Sequence, residues 1–337
     1  MKVIGYKKSL PISETESLLD FQLPVPTPLE SDLLVEIKAV SVNPVDTKVR
    51  QRYIPKIDEM KVLGWDAAGV VKSTGPDCTL FKPGDEVWYA GALGRSGTNA
   101  QLHLVDERIV GKKPKSLSFA QAAALPLTSI TAWEILFDRF QLQLEKQQVD
   151  KSILIIGAGG GVGSILIQLA RQLTGLHIIA TASRPETKKW VEELGAHQVV
   201  DYRGFLAQNI KNLNAPPVHY VASLTETHSH FNAISELIAP QGKLCLIDDP
   251  EQLEINKLKQ KSISLHWEFM FTKSLFNTSD LISQHHLLNQ ISDLVDQGKI
   301  KTTLKQNLGK INAENLKRAH AILESGQSTG KIVLENF

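Results

Sequence analysis

The sequence has little cysteine, almost no net charge and no long apolar run. Its two cysteines, Cys78 and Cys245, give no disulfide framework and fit a reducing compartment. A formal net charge of +1 gives no general attraction to nucleic acid or to a membrane surface. No apolar stretch reaches the roughly 18 residues that span a bilayer, and segment 1–8 lacks the apolar core of a secretory signal. We therefore expect a cytoplasmic protein without a nucleic-acid or membrane partner.

The pattern of apolar residues divides the chain into three regions. Residues 1 to about 120 are rich in short strands and turns, and a regular alternation of strands and helices follows. Such alternation predicts an α/β fold with a doubly wound parallel sheet that helices cover on both faces. From about residue 264 helix and strand patterns mix, and we expect this tail to return to the first of two domains. The predicted strands are 33–40, 69–71, 86–89, 152–156, 177–182, 197–201, 218–222, 243–247 and 331–334, and the predicted helices are 121–125, 129–137, 161–173, 186–194, 204–211, 230–238 and 281–297.

A glycine cluster after the predicted strand 152–156 is the most informative motif. The sequence from Gly157 to Gly163 reads Gly-Ala-Gly-Gly-Gly-Val-Gly, and an apolar run follows it directly. A strand, a tight turn and a helix in this order direct backbone N–H groups and a helix N-terminus at one point, which suits a diphosphate. Gly160 would allow a ligand to approach closely, and Gly163 would let the helix pack on the strand. The predicted strand 177–182 follows at the spacing of a dinucleotide-binding βαβ unit, although a plain turn is the alternative.

Several stretches, taken in their order and spacing, carry a resemblance to a known family. They are Ser41–Arg50, Gly64–Val71, Phe81–Val87, Pro126–Thr128, the glycine turn, Ile263–Phe271 and Gly330–Leu334. The chain resembles the medium-chain dehydrogenase/reductase superfamily in its zinc-free quinone oxidoreductase branch, and within it a subgroup labelled zinc-type alcohol dehydrogenase-like. The resemblance covers essentially the whole chain and implies a GroES-like, β-rich catalytic domain (1–122 and 265–337) and a Rossmann NADP-binding domain (123–264). It also implies NADPH as the cofactor and a homodimer.

The residues at the positions of the family's zinc ligands argue against a metal. This chain has Asn43 where the zinc-binding branch has its first cysteine ligand, and Trp65 and Asp66 where that branch has a His–Glu pair. Asparagine and tryptophan cannot replace thiolate and imidazole on zinc. Two cysteines also cannot supply the four-cysteine structural site of that branch. We therefore expect neither catalytic nor structural zinc.

The residues after the second strand of the βαβ unit favour NADPH over NADH. An NAD enzyme has a carboxylate there for the ribose 2′-hydroxyl, whereas this chain has Ser183 and Arg184. The planar guanidinium group suits a phosphate, and Lys188 follows one turn into the next helix. By the resemblance, Tyr202 after the third strand lines the adenosine phosphate site. The alternative is that Arg184 and Lys188 only form a solvated helix start.

The resemblance implies that Asn43 and Tyr53 face the nicotinamide and the substrate, and we predict them as the catalytic residues. The Asn43 amide can donate to a substrate carbonyl oxygen on which negative charge develops, or Asn43 is only a turn residue before Pro44. The Tyr53 phenol can donate a hydrogen bond or stack on a ring, or it only packs. Thr128 is expected to contact the nicotinamide or its ribose, with a helix N-cap as the alternative. Asp46 is expected to order the loop.

Further side chains are predicted to line the substrate pocket or to bind the cofactor. Trp65 would form an aromatic wall, and Phe269 and Phe271 would close the cleft, each against the alternative of core packing. Lys48 stands where many relatives carry tyrosine, so that a relative's substrate preference cannot be transferred to this position. The predicted cofactor-binding residues are Pro44, Thr128, Gly157, Gly160, Gly161, Val162, Gly163, Ser183, Arg184, Lys188, Tyr202, Leu224 and Ile247.

The predicted function is a zinc-independent, NADPH-dependent reduction of a quinone or an α,β-unsaturated carbonyl. Without a Lewis acid to polarise a carbonyl, simple alcohol oxidation is disfavoured, whereas a conjugated acceptor spreads the incoming charge itself. One alternative is an enoyl-thioester or alkenal reductase with a dedicated metabolite. Another is a weakly catalytic NADPH-binding regulatory protein, for which the near-neutral charge offers no support from a basic nucleic-acid surface.

Overall fold

The structure is a computed structural model that describes residues 1–144 and 149–337. The chain forms two compact units, the first of Met1–Ile130 with Phe271–Phe337 and the second of Thr131–Met270. The domain boundaries suggested by the sequence, after residues 122 and 264, stay a prediction. In the described part of the chain, no helix is long and apolar enough to cross a membrane.

The first part of the chain consists mainly of strands and contains one helix, α1, that the sequence analysis did not predict. Its elements, with short 3₁₀ turns at Thr15–Ser17 and Glu107–Ile109, are β1 (Lys2–Tyr6), β2 (Leu19–Gln22), β3 (Asp32–Val42), α1 (Pro44–Arg52), β4 (Lys61–Val62), β5 (Ala67–Thr74), β6 (Glu86–Tyr89), β7 (Leu102–Asp106), β8 (Val110–Lys112), α2 (Phe119–Ala123) and α3 (Pro126–Trp133). Both α1 and α3 begin with a proline, because its fixed φ and missing N–H suit the first helical position. Pro126 follows the interruption between α2 and α3 and opens α3, which continues as the π-helix Glu134–Arg139.

The second unit contains one parallel, doubly wound sheet. Its elements, with a 3₁₀ segment at Ile255–Lys261, are β9 (Ser152–Ile156), α4 (Gly161–Leu173), β10 (His177–Thr181), α5 (Pro185–Glu193), β11 (Gln198–Val200), α6 (Leu206–Lys211), β12 (Val218–Ser223), α7 (Thr227–Leu237), β13 (Lys243–Leu246) and β14 (Ser264–Trp267). The strand order β11-β10-β9-β12-β13-β14 reverses between β9 and β12, where such sheets bind ligands beyond their carboxyl ends. All of β9 is buried, as expected of a strand covered on both faces. The predicted fold class is confirmed.

The last part of the chain belongs to the first unit and completes its main sheet. Its elements are α8 (Thr272–Phe276), α9 (Ser283–Asp296), β15 (Leu304–Asn307), α10 (Ala313–Glu324) and β16 (Lys331–Glu335). The main sheet runs β15-β16-β3-β5-β6-β8, with β7 also paired to β3, and a small sheet runs β2-β1-β4. The antiparallel pairing of β16 with β3 sets Ile332 opposite Val42. This register brings Lys331, at the start of β16, to the residue that follows β3.

Candidate active site

The first candidate site lies at the start of α1. Asn43 precedes this helix, and its backbone N–H donates to Oδ2 of Asp46 at 2.7 Å. Pro44 occupies the first helical position and is exposed. Burial raises the pKa of Asp46 to about 7, although the hydrogen bond from Asn43 acts in the opposite direction. Asp46 thus orders the entry into α1.

The side chain of Asn43 is buried, and its amide group is occupied by protein partners. Nδ2 donates to Oδ2 of Asp66 at 2.8 Å and to the carbonyl oxygen of Trp65 at 3.1 Å. Oδ1 accepts a hydrogen bond from the ammonium group of Lys331. Since an amide nitrogen has two hydrogens, both are engaged here. The predicted role of Asn43 as a donor to the substrate therefore stays a prediction, and it requires one of these bonds to break.

Asp66 and Lys331 form a buried ion pair beside Asn43. Nζ of Lys331 lies 3.0 Å from Oδ2 of Asp66 and donates to the carbonyl oxygen of Val42 at 3.1 Å. The other carboxylate oxygen of Asp66 accepts the backbone N–H of Leu127, in the first turn of α3, at 2.8 Å. Burial raises the pKa of Asp66, while the charge of Lys331 counteracts that rise. Sequence reasoning did not place Lys331 in this site, because only the pairing of β16 with β3 brings it to its partners.

Thr128 directly follows Leu127, whose backbone N–H is bound by Asp66. It is buried inside the first turn of α3, and its Oγ1 donates to the carbonyl oxygen of Leu125 at 3.0 Å. Because α3 begins at Pro126, Thr128 is not the N-cap. The position of Thr128 is consequently linked, through Leu127, to Asp66.

Helix α1 separates the two residues predicted to be catalytic. Tyr53 lies at its C-terminal end with 45% of its surface exposed, and Nζ of Lys61 lies 5.5 Å from the centre of its ring. At ~1.5 Å per residue, the nine residues of α1 rise by about 14 Å, so Asn43 and Tyr53 lie at opposite ends. Lys48 lies within the same helix and is half-buried. The structure does not bring Asn43 and Tyr53 together.

The aromatic residues predicted for the pocket divide between core and surface. Trp65 and Phe271 are buried in the first unit and pack edge to face, with ring centres 6.3 Å apart. Trp65 also donates its indole N–H to the carbonyl oxygen of Ala92 at 3.3 Å. Phe269, in the second unit, is 47% exposed. Trp65 and Phe271 are therefore packed inside the first unit and Phe269 is more accessible, and the predicted pocket role of all three stays a prediction.

The second candidate site is the glycine turn between β9 and α4. Gly160 precedes the helix with extended backbone, and within the described part of the chain no side chain caps it. A Cβ atom built on Gly160 would meet its nearest neighbour, the Gly157 carbonyl oxygen, at an ordinary 3.5 Å. A Cβ atom on Gly163 would lie 2.4 Å from the backbone oxygen of Ala158. Gly163 is thus required by packing, whereas the absence of a side chain at Gly160 leaves open space; Gly161 and Val162 lie between them and are half-buried.

Polar side chains meet beyond the ends of β10 and β11. Oγ of Ser183 donates to the Tyr202 hydroxyl at 3.1 Å, and Nη2 of Arg203 donates to the Ser183 carbonyl oxygen at 3.3 Å. Asp201 pairs with Arg203 at 2.7 Å and with Lys188 at 3.6 Å. The hydrogen bond from Arg203 holds the pKa of Asp201 well below its usual range. Sequence reasoning missed Arg203, although it follows the predicted Tyr202 directly.

The remaining predicted cofactor residues lie around the same edge of the sheet. Arg184 precedes α5, with its Nε 3.4 Å from a carboxylate oxygen of Glu186. Leu224 and Ile247 are half-buried, and their backbone N–H groups donate to the last residues of β9 and β12. The second unit therefore brings the glycine turn, Leu224 and Ile247 to the carboxyl ends of adjacent strands, as expected for a doubly wound sheet.

Comparison with known proteins gives consistent matches over nearly the whole chain. The family model described as "Alcohol dehydrogenase GroES-like domain" matches residues 30–115, and the one described as "Zinc-binding dehydrogenase" matches residues 194–334. A zinc-type alcohol dehydrogenase-like protein of Staphylococcus aureus is 41% identical over 336 residues, which cover 99% of either protein.

Solved structures agree with these matches. The crystal structure of a presumed zinc-dependent alcohol dehydrogenase protein of Rhizobium etli is 55% identical, with a TM-score of 0.96, and covers 100% of this chain and 98% of that chain. A quinone oxidoreductase of Pseudomonas syringae is 25% identical, with a TM-score of 0.81, and covers 99% of each chain.

Proposed function

The chain belongs to the zinc-type alcohol dehydrogenase-like proteins of the medium-chain dehydrogenase/reductase superfamily and is an oxidoreductase; we propose that it transfers hydride from NADPH to a quinone or an α,β-unsaturated carbonyl without zinc. The observation that carries this proposal is the group of hydroxyl and cationic side chains beyond β10 and β11. The arrangement of the glycine turn gives further support. So does the chemistry of Asn43, Asp66 and Lys331, which we call the Asn43 cluster.

The ends of β10 and β11 favour a ribose 2′-phosphate over a 2′-hydroxyl. Two hydroxyl groups, of Ser183 and Tyr202, stand beside the cationic Arg203, and Arg184 and Lys188 lie at the start of α5. Guanidinium and ammonium groups are the usual partners of phosphate. The nearby carboxylate of Asp201 follows the third strand and is engaged by Arg203 and Lys188, which disfavours it as the ribose-binding acid of an NAD enzyme.

The glycine turn is suited to the diphosphate of the same cofactor. The start of α4 lacks a side-chain cap in the described part of the chain, and Gly160 leaves room for close approach. A helix N-terminus attracts an anion through its backbone N–H groups and its dipole. Leu224 and Ile247 complete the apolar part of this edge. When bound, NADPH supplies the hydride.

The first unit contributes the residues that we assign to the substrate. Tyr53 offers a half-exposed ring at the end of α1, which suits stacking on a flat, conjugated acceptor. Thr128 is held in place by its own hydrogen bond and by the anchoring of Leu127. A quinone or enone stabilises the incoming charge by its own conjugation, and the proton that completes the reduction comes from solvent or a hydrogen-bonded hydroxyl. Asn43 orders this region through the contacts already described.

The residues of the Asn43 cluster do not fit a zinc ion, although the names of a matching family model and of related proteins mention zinc. An amide, a carboxylate and the backbone oxygen of Val42 surround an ammonium group, so that the chain's own cation lies among the oxygen donors. Zinc sites in proteins use thiolate, imidazole and carboxylate ligands. This chemistry supports a reaction that needs no metal.

The test is NADPH oxidation, followed at 340 nm, with 1,4-benzoquinone, 9,10-phenanthrenequinone and a 2-alkenal. Parallel reactions contain NADH or protein treated with a chelator. We expect turnover that prefers NADPH and survives chelation. Activity that chelation abolishes and zinc restores would contradict the zinc-independent reaction, and equal use of NADH would contradict the cofactor assignment.

Two alternatives are distinguished when an enoyl thioester is added to the same panel and NADPH binding is measured beside turnover. Turnover of the enoyl thioester or of one alkenal alone, with none of either quinone, would identify the dedicated reductase. Tight NADPH binding with no turnover of any acceptor would instead favour the regulatory role. Within residues 1–144 and 149–337, nothing favours either alternative over the main proposal.

The proposal includes a cytoplasmic homodimer. β14 stands at the end of the strand order in the second unit, and its last residue, Trp267, is 52% exposed. An edge strand offers backbone groups that a second copy can pair, which would continue the sheet from one subunit into the other. Light scattering after size-exclusion chromatography should give twice the mass of one chain, and a monomer at micromolar concentration would contradict this part of the proposal.

A further inference from the structure

We propose that Lys331 is a positioning residue: its buried ammonium group holds Asp66 and Asn43 so that the starts of α1 and α3 are fixed for catalysis. The inference rests on the proposed function, because it concerns the segments that carry Thr128 and Tyr53. Lys331 itself is buried and reaches the reaction only through the groups it binds.

The first step of the argument is electrostatic. Asp66 is completely buried. A second buried carboxyl group, that of Asp46, lies so close that the Asp66 charge raises the pKa of Asp46. A buried charge is strongly unfavourable unless it is paired and hydrogen-bonded. The Lys331 ammonium pairs with Asp66 at 3.0 Å, which keeps the Asp66 carboxylate able to accept two further hydrogen bonds.

The second step concerns what those bonds hold. One oxygen of Asp66 accepts the Leu127 N–H in the first turn of α3, and the other accepts the Asn43 side chain that precedes α1. Lys331 also binds Oδ1 of Asn43 directly and so fixes the amide from its other side. One ammonium group therefore sets the positions of two helix starts that are far apart in the sequence.

The third step separates positioning from simple stabilisation. Lys113 is also a buried lysine of the first unit, and its Nζ donates to the carbonyl oxygens of Pro114 and Leu117 and pairs with Glu86 at 3.1 Å. None of these partners belongs to either candidate site. Replacing Lys113 thus removes a buried ammonium group without disturbing the starts of α1 and α3, which makes it the matched control.

The experiment compares Lys331→Met, Lys331→Arg and Lys113→Met in the full chain, at a temperature at which all three variants are folded by circular dichroism. For Lys331→Met we expect kcat to fall by about 100-fold, the loss typical of a small misplacement of reacting groups. The dissociation constant of NADPH should stay within about threefold, because the second unit holds the adenosine end. Lys331→Arg should recover part of kcat. Lys113→Met should lower the midpoint of thermal unfolding but change kcat by less than about twofold.

A readout without turnover separates this inference from the proposed function. In protein labelled with ¹⁵N-asparagine, the side-chain signals of Asn43 are assigned by their loss in Asn43→Ser. They should exchange slowly with solvent in the wild type and in Lys113→Met, and much faster in Lys331→Met. If the wild type reduces no acceptor, the proposed function fails while this measurement still judges the link from Lys331 to Asn43. Unchanged Asn43 signals, wild-type kcat in Lys331→Met, or equal kcat losses in the Lys331→Met and Lys113→Met proteins would overturn the inference.

Discussion

The starts of α1 and α3 in the first unit differ from the start of α4 in the second unit. In the first unit, Asp46 accepts the N–H of the residue before α1 at 2.7 Å, and Asp66 accepts an N–H in the first turn of α3 at 2.8 Å. In the second unit, α4 starts at a glycine, and no side chain caps it in the described part of the chain. The protein's own carboxylates thus occupy the positive ends of two helices and leave a third one open.

This difference indicates that the start of α4 is available to an anion, whereas those of α1 and α3 are not. The first N–H groups of a helix need acceptors, and these come from side chains, water or a ligand. The carboxylates of the first unit are buried and hydrogen-bonded, so a phosphate would have to displace them. At the start of α4 a phosphate has no side-chain cap to displace within the described residues, and the cations beyond β10 and β11 favour a second phosphate at the same edge of the sheet.

The sharpest test of this comparison uses two alanine substitutions in the same turn. In Gly163→Ala the new methyl group would lie 2.4 Å from backbone that cannot move away, so we expect a loss of about 3 kcal/mol of unfolding free energy or insoluble protein. In Gly160→Ala the methyl group meets no close neighbour, and thermal stability should remain near that of the wild type. NADPH affinity should nevertheless fall by about tenfold or more, because the methyl group stands where the diphosphate would approach. Equal stability losses, or unchanged affinity in Gly160→Ala, would remove the distinction between the two glycines.

The buried carboxyl group of Glu268 in the second unit tests whether a carboxyl group enclosed by the protein carries a proton at neutral pH. Burial raises the pKa of Glu268 to about 9, with neighbouring Glu134 adding to the rise and Arg139, at 2.7 Å, opposing it. The folded protein therefore binds this proton more tightly than the unfolded chain does. Stability should fall as the pH rises from about 4.5 to about 9. Glu268→Gln should flatten that fall in a series of thermal unfolding midpoints, and an unchanged slope would show that Glu268 is ionised at neutral pH.

The same reasoning applies to Asp46, over a lower range of pH. Because its pKa is raised from 3.8 to about 7 in the folded protein, its contribution to stability should decline between these values and stay constant above them. In Asp46→Asn the side-chain oxygen can still accept the N–H of Asn43, so the helix start is kept while the titration disappears. The free energy of unfolding, measured with urea at pH 4.5, 6 and 7.5, should then vary less with pH than in the wild type. An equal or larger variation would contradict the assignment.

The smallest expected effect concerns the cations beyond β10 and β11 in the second unit. Arg203→Ala removes an exposed guanidinium group beside Ser183 and Tyr202, and we expect the KM for NADPH to rise by about five- to tenfold while that for NADH changes little. Lys189→Ala is the matched control, since it removes an exposed cation of α5 that pairs with Glu193. If both variants raise the KM for NADPH equally, general charge rather than a specific phosphate contact would account for the effect.

The parts of the site that sequence reasoning identified follow from local chemistry. The glycine turn and the strand before it were recognised because their residue types reflect local structure. A buried strand needs apolar side chains, and a tight turn needs residues without a Cβ atom. The helix α1 was missed because proline before a short polar segment was interpreted as a turn, although proline also suits a first helical position. Arg203 was missed since an exposed charged residue belongs to no periodic pattern.

The sequence by itself determined the fold class, the glycine turn at the end of β9 and the absence of a carboxylate after β10, because these depend on residues adjacent in the chain. Only the tertiary structure decided what surrounds Asn43. Its partners Asp66 and Lys331 lie 23 and 288 positions away in the chain, and the antiparallel register of β16 on β3 brings Lys331 to it. Periodicity within a segment indicates which face of a strand is buried. It does not tell which distant strand is the partner, since that depends on how whole strands are ordered in the sheet.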